Sequence, residues 1–124
     1  MCGIISYVGK DNAIPYLVEG IRNLDTDTEV IPHFLEDELK NGESIENGLK
    51  KLFKLIKGAS SFVVMYKGSD KIYAIKNGSP LVFGIGKNGN FISSDVVSFI
   101  KYTNKVIYLY DGDMVVFDKD SYTI

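Results

Sequence analysis

Apolar and polar residues along the first third of the chain predict one strand followed by helices. Residues 1–9 form a β-branched and aromatic run closed by a Gly-Lys-Asp-Asn turn, a pattern typical of a buried strand. Apolar residues at helical spacing then predict an amphipathic helix from about residue 13 to residue 23. A second helix is predicted to follow almost at once, with Thr26 or Asp27 as its N-cap and Asn41-Gly42 as its end.

A third helix is predicted to begin at Ser44 and to stop at Lys57-Gly58. Its apolar stripe indicates a buried face, and Asn47 stands where a complete capping box would have Glu or Gln. The opposite face carries four lysines that could be taken for a phosphate-binding patch, Lys50, Lys51, Lys54 and Lys57. We interpret them as a solvated helix face, because acidic residues of the preceding helix balance their charge.

From residue 59 onward the pattern changes to short strands separated by glycine-containing turns. The predicted strands cover residues 61–67, 71–76, 81–85, 90–93, 105–110 and 113–117. Consecutive pairs predict three hairpins, the last of them across Asp111-Gly112. Ser94-Asp95 is predicted to cap a short helix. Helices early and antiparallel strands late predict an α+β fold, in a single domain that spans all 124 residues.

Composition and charge exclude several classes of function. Lys plus Arg number 14 against 16 for Asp plus Glu, and this net charge of −2 gives no electrostatic case for binding nucleic acid or an anionic membrane. One Cys and one His exclude a disulfide framework and a Cys/His zinc cage. No apolar run approaches the roughly 18 residues of a spanning helix, and the N-terminus lacks the basic region of a signal peptide. We therefore expect a cytoplasmic protein without a cofactor.

Three features that resemble functional motifs have ordinary structural interpretations. Residues 84–89 match the spelling of a dinucleotide-binding fingerprint, but they lie between two predicted strands, with no helix N-terminus to meet a pyrophosphate. His33 has no second histidine near it and is interpreted as a hydrogen-bonded helix residue. Asp111 and Asp113 flank a glycine turn and are interpreted as solvated turn residues.

Cys2 is the residue whose position suggests catalysis. Removal of Met1, which is usual before a small residue, would place the thiol and a free α-amine on one residue. An α-amine with a pKa of about 7.7–8.0 is partly neutral near physiological pH. It can therefore act as general base for its own thiol. The alternative is a small apolar cysteine at the start of a strand.

Several segments of the chain resemble the class II glutamine amidotransferases, and most closely the glutaminase domain of the glucosamine-6-phosphate synthase family. They follow the order of that family and cover nearly the whole chain. These segments are M-C-G-I-I-x-Y-V-G at 1–9, E-G-I-R-N-L at 19–24, D-T-D-T-E-V-I at 25–31, G-S-P-L-V-F-G-I-G at 78–86, N-F-I-S-S-D at 90–95 and I-Y-L-Y-D-G-D at 107–113.

The resemblance implies an N-terminal-nucleophile fold, a sandwich in which helices cover two antiparallel sheets (αββα). It also implies hydrolysis of glutamine: the N-terminal cysteine attacks the side-chain amide, ammonia leaves, and water hydrolyses the acyl-enzyme. Carried over by motif, Cys2 would be the nucleophile and general base, and Asp27 would bind the α-ammonium group of the substrate. Glutamine is therefore the expected small-molecule partner.

The chain departs from the family between Leu24 and Asp25, where a long stretch is missing. The motifs R-G-x-D-S, H-T-R-W-A-T-H-G and H-N-G-x-x-E-N have no match in residues 1–124. In the family the second carries the arginine that holds the glutamine carboxylate, and the third supplies the Asn-Gly oxyanion hole. We therefore expect an internally truncated domain with impaired or absent glutaminase activity. The alternatives are a non-catalytic binding or structural module, and an amidohydrolase rebuilt around Cys2.

The deletion also has consequences for the fold and for assembly. A very short connection at Asp25-Thr26 would join the first two helices as an αα-hairpin. The missing motifs belong mainly to strands and loops of the two sheets, so one sheet should be incomplete. Exposed apolar sheet surface or open strand edges would then be covered by a partner. We accordingly expect a homo-oligomer. None of these residues resembles the sugar-phosphate isomerase domain of the family.

Overall fold

The computed structural model describes residues 30–56 and 59–124. The chain divides into two units, one ending at Leu55 and the other running from Ile56 to Ile124. Several sequence predictions fall outside the described residues: the strand at 1–9, the helix at 13–23, the connection at 25–26, the N-cap at 26 or 27, and the helix stop at 57–58.

The helix α1 (Val30–Lys40) ends where the sequence predicts. Gly42 adopts a φ of +84°, a left-handed conformation that glycine accepts without a steric penalty. The amide of Glu43 donates to the carbonyl of Glu38 at 3.0 Å, and the amide of Gly42 donates to that of Leu39 at 3.1 Å. This pair of hydrogen bonds is a Schellman motif, and it satisfies carbonyl groups that the end of the helix would otherwise leave unpaired.

The helix α2 (Ile45–Leu55) begins directly after the predicted N-cap. The Ser44 hydroxyl accepts a hydrogen bond from the Asn47 amide at 3.2 Å, whereas the Asn47 side chain donates to Glu43. Gly48 lets α1 approach closely, because a Cβ atom there would lie 3.1 Å from Leu35 Cδ2. The apolar stripes of the two helices meet in this hairpin and bury Ile31, Leu35, Ile45, Leu49 and Leu52.

Seven short strands form two antiparallel sheets in the second unit. The first sheet has the order β1-β2-β6-β7 and the second has the order β4-β3-β5. The strands are β1 (Phe62–Met65), β2 (Ile72–Ile75), β3 (Val82–Ile85), β4 (Asn90–Ser93), β5 (Val106–Tyr108), β6 (Met114–Phe117) and β7 (Tyr122–Thr123). The predicted hairpins β1–β2 and β3–β4 are confirmed, with Val63 opposite Ala74 and Phe83 opposite Ile92.

The two sheets pack face to face around Phe83, which is completely buried. Its ring lies 5.0 Å, between centroids, from the ring of Phe117 on β6 and equally far from that of Tyr122 on β7. The buried cluster draws on both sheets and contains Ala74, Leu81, Phe83, Leu109, Val115 and Phe117. The second unit is therefore a β-sandwich with one shared apolar layer.

The outer face of the second sheet is covered by the segment after β4. The predicted short helix is a 3₁₀ turn (Val96–Ser98), and the Asp95 carboxylate caps it by accepting from the Val97 amide at 2.9 Å. The Phe99 ring then lies over Gly84 so closely that a Cβ atom there would come within 2.5 Å of it. Phe91 stacks on Phe99 at 5.4 Å. Gly84 is thus required by packing on β3 rather than by a turn.

The predicted hairpin across Asp111-Gly112 is wrong. Strand β5 pairs with β3 in the second sheet, whereas β6 pairs with β2 in the first. The Asp111-Gly112 turn therefore carries the chain from one sheet to the other. A turn dipeptide specifies a local reversal of direction, and the same reversal serves a hairpin or a corner between sheets. The strand β7 was missed, since two residues are too few for an alternating pattern to be recognised.

Two early helices and a later set of antiparallel strands confirm the α+β class. The N-terminal-nucleophile fold itself stays a prediction, with which this arrangement is consistent. In the described part of the chain, no helix is long and apolar enough to cross a membrane.

Candidate functional site

The two residues that the family resemblance assigns to catalysis and substrate binding, Cys2 and Asp27, lie outside the described residues. Their distance from one another and their surroundings are therefore not defined, and both roles stay predictions. The described residues do include the Gly78-Ser79-Pro80 segment that carries part of the resemblance. This segment lies at one end of the sandwich, in the loop from β2 to β3, and is held by a polar cluster.

Asp111 is the centre of that cluster. Its Oδ1 atom accepts from Lys76 Nζ at 2.5 Å and from the Gly78 amide at 2.6 Å. The backbone strengthens the same link, since the Lys76 amide donates to the carbonyl of Asp113 and the Gly112 amide donates to the carbonyl of Lys76. The loop between the sheets and the loop from β2 to β3 are thereby joined.

Ser61 fixes the other side of the Gly78 loop. Its hydroxyl accepts from the Asn77 amide at 2.8 Å and donates to the Ser79 carbonyl at 2.6 Å. Gly78 itself has a φ of +80°, and a Cβ atom there would collide with Ala59. The loop accordingly needs glycine for both its backbone conformation and its packing. We call the set Ser61, Lys76, Gly78 and Asp111 the Asp111 cluster.

The electrostatics of the Asp111 cluster favour a positioning role over a catalytic one. The hydrogen bond from Lys76 lowers the pKa of the Asp111 carboxyl, and the Gly78 amide lowers it further. The Lys76 side chain is largely buried, and its ammonium group is directed at this carboxylate and, at 3.5 Å, at the Gly78 carbonyl. Because the cation and the carboxylate bind each other, the cluster holds a loop in place and presents no evident proton acceptor to a substrate.

The interpretation of Asp111 and Asp113 as solvated turn residues needs correction. Asp111 is exposed, but it accepts the two hydrogen bonds given above. Asp113 is half-buried, and its Oδ2 atom accepts from the Tyr110 amide at 2.7 Å. The sequence shows two acidic residues around a glycine, and it does not show which distant amide or ammonium group they meet.

The lysine and glycine motifs match their structural interpretations. Lys51 pairs with Glu38 at 2.6 Å and with Glu43 at 3.0 Å, while Lys50 and Lys54 are exposed. Lys57 lies outside the described residues. Residues 84–89 join the antiparallel strands β3 and β4, so they do not form a strand-to-helix phosphate loop.

His33 lies within α1, as predicted, but its hydrogen bond is not found at Nε2. That atom is buried and has no hydrogen-bond partner. The reason is its position beside the apolar stripe of the helix, where polar groups are scarce. Within residues 30–56 and 59–124, no group of three or more His, Cys, Asp or Glu side chains could hold a metal ion.

Replacing Asp111 with asparagine is expected to remove a pH-dependent part of the stability. Because the folded-state pKa of Asp111 is lowered, its contribution is present above the ordinary carboxyl pKa of about 3.9 and is lost as the pH falls through the folded-state value. Urea unfolding at pH 7 should therefore separate Asp111→Asn from the parent chain, and the difference should shrink below about pH 4. Asp70→Asn, in the exposed β1–β2 turn, controls for loss of one charge. A difference that is constant with pH would contradict the ionic role of Asp111.

The comparisons with known proteins agree on one kind of enzyme. No family model matches the chain. It is 46% identical over 101 residues to a glutamine–fructose-6-phosphate aminotransferase (isomerizing) of Thermococcus kodakarensis, a match that covers 81% of this chain and 17% of the relative. The enzyme of the same name from Francisella tularensis is 46% identical over 98 residues, covering 78% and 16%. That of Fusobacterium nucleatum is 42% identical over 110 residues, covering 87% and 18%. The chain thus matches less than a fifth of the length of these relatives.

Proposed function

Because the chain belongs to the glutamine–fructose-6-phosphate aminotransferase family, we propose that it is a glutaminase-type domain with an N-terminal cysteine nucleophile and with impaired activity. The observation that carries the proposal is the 46% identity over 81% of the chain to a relative of that name. The β-sandwich and its Gly78 loop support it, since they supply a rigid scaffold of the kind a loop-borne site needs.

In the proposed reaction the Cys2 thiolate attacks the side-chain amide carbon of glutamine. The C–N bond breaks, ammonia leaves with a proton, and a thioester remains on Cys2. Water then cleaves the thioester, giving glutamate and the free thiol. The α-amine of Cys2 takes the thiol proton and returns it to the leaving group. Asp27 pairs with the α-ammonium group of the bound glutamine.

Impairment follows from the residues that the sequence lacks. Loss of a single oxyanion-hole donor lowers turnover by about 10²–10³. The family motifs for the oxyanion hole and for the carboxylate-binding arginine both have no match in the sequence. Glutamine would then be poorly oriented as well as poorly stabilised in the transition state. We therefore propose a thiol that still reacts but turns over slowly.

A non-catalytic structural module is the second candidate. It is favoured by the Asp111 cluster, in which the charged groups bind one another and hold a loop. In that case Cys2 serves as a small apolar residue. The two candidates differ in whether glutamine protects the Cys2 thiol from a reagent of the same shape.

Covalent labelling with a glutamine-mimicking diazoketone tests the proposal. Intact-mass measurement first shows whether Met1 is removed, because a retained methionine would eliminate the free α-amine and the proposed mechanism. The reagent should then add once per chain at Cys2, the only cysteine. Glutamine should slow the labelling and Cys2→Ala should abolish it.

Two matched measurements distinguish the candidates. Asp27→Asn should weaken protection by glutamine while leaving reaction with a simple alkylating reagent unchanged. Ammonia release should be detectable, and Cys2→Ala should abolish it. Labelling that glutamine does not affect would overturn the glutaminase proposal in favour of the structural module.

A further inference from the structure

The outermost strand of the first sheet leaves apolar side chains uncovered. Val63 and Met65 lie on the inner face of the sheet, because they stand opposite the core-facing residues Ala74 and Ile72 on β2. Yet Val63 is 45% exposed and Met65 is 74% exposed. The inner layer of the sandwich therefore does not extend as far as β1.

The β1 edge also lacks the features that prevent strands from pairing with other molecules. Natural edge strands are protected by charged residues, proline, bulges or very short length. The sequence of β1, Phe-Val-Val-Met, contains none of these protective residues. At the opposite edge of the sheet, β7 is only two residues long. In the second sheet, β4 begins and ends with polar residues and its Asn90 side chain donates to the Asp118 carbonyl.

We propose that β1 pairs antiparallel with β1 of a second copy of this chain, with the two-fold axis passing beside Val64. Residues opposite each other in a sheet point to the same face, so a continuous sheet requires pairs of the same parity. An axis at Val64 places Val63 of one copy opposite Met65 of the other, twice. The four exposed apolar side chains then form one patch across the interface.

The charges beside the strand agree with this register. Lys67 is the charged residue closest to β1, and in this register it faces Ser61 of the second copy, so no like charges oppose one another. An axis at Val63 would instead place Met65 opposite Ser61 and leave it without an apolar neighbour. Apolar pairing thus selects the Val64 register.

The interface is small, which determines how it is to be measured. Four paired residues per copy are far fewer than the roughly 20–30 residues a side of a standard interface. We therefore expect a dimer that forms with rising concentration. It deepens the expectation of a homo-oligomer by naming the strand and the register, and it does not depend on the proposed glutaminase activity.

Disulfide trapping tests the register directly. In a Cys2→Ser background, Val64→Cys places two thiols opposite each other, and Cα atoms about 4.5–5.5 Å apart in such pairs are within the range that a disulfide bridges. Val64→Cys should cross-link to a dimer on mild oxidation. Val63→Cys alone and Met65→Cys alone should not, whereas a mixture of the two should give the mixed dimer. Equal cross-linking by all single variants, or none by Val64→Cys, would overturn the register.

Sedimentation velocity tests the surface without a cross-link. The parent chain should shift from 13.8 kDa toward twice that mass as concentration rises. Met65→Lys should raise the dissociation constant by about tenfold, because both Val63–Met65 pairs change. Val97→Lys is the matched control, since Val97 is 73% exposed on the 3₁₀ turn, and it should dimerise normally. A mass that stays at 13.8 kDa, or a dimer unaffected by Met65→Lys, would overturn the proposal.

Discussion

Phe83→Ala is expected to lower the free energy of unfolding by about 3–5 kcal/mol, a large fraction of the total for a small domain. Phe83 is completely buried between the sheets, where its ring meets those of Phe117 and Tyr122. Truncation removes buried apolar surface and leaves a cavity that both sheets border. Urea unfolding followed by far-UV circular dichroism measures the loss, since the chain has no tryptophan to report it.

Two variants control the interpretation of Phe83→Ala. Phe83→Leu keeps most of the volume and should cost less than about 1.5 kcal/mol. Tyr108→Ala removes a 60% exposed aromatic ring from the neighbouring strand and should change stability by no more than about 0.5 kcal/mol. If Phe83→Ala cost no more than Tyr108→Ala, the two sheets would not share the packing described here.

Gly78→Ala is expected to lower the free energy of unfolding by about 2–5 kcal/mol, through backbone strain and overpacking together. The φ of +80° disfavours any residue with a Cβ atom. That atom would also meet the Ala59 Cβ and lie 2.8 Å from the Ala59 Cα, so the backbone itself would have to move. The movement would disturb the hydrogen bonds that Ser61 and Asp111 make to the Gly78 loop.

Gly112→Ala separates the two causes. Gly112 has a φ of +95°, but nothing lies within 4 Å of the position its Cβ atom would occupy. Backbone strain alone should therefore cost about 1–2 kcal/mol there. Urea unfolding of both variants under the same conditions measures the difference. Equal losses would show that contact with Ala59 does not restrict the Gly78 loop.

The limits of sequence prediction are clearest at the turn that joins the sheets. Asp111-Gly112 was correctly predicted as a turn, because glycine with a positive φ and a preceding aspartate are local signals. The pairing of β5 with β6 was wrong, because pairing depends on which apolar faces become buried together. Asp111 shows the same division: its partners Lys76 and Gly78 lie 35 and 33 residues away, and no spacing rule connects them.

The candidate catalytic residues have a different origin from the cluster that the structure describes. Cys2 and Asp27 came from a terminal thiol and from family motifs, which are properties that a sequence displays directly. The Asp111 cluster came only from coordinates, since serine, lysine, glycine and aspartate are ordinary loop residues. One signal for it was available in the Gly78-Ser79-Pro80 segment, which the family resemblance included without a stated role.

The sequence by itself determined the helices α1 and α2, their caps, most of the strands and the family, because these depend on local periodicity, on turn residues and on the order of motifs. Only the tertiary structure decided how the strands divide into two sheets, why Gly84 and Gly78 must be glycine, and that the inner face of β1 is left open. These features depend on contacts between residues far apart in the chain, whose free energy is realised only when the two sheets pack together.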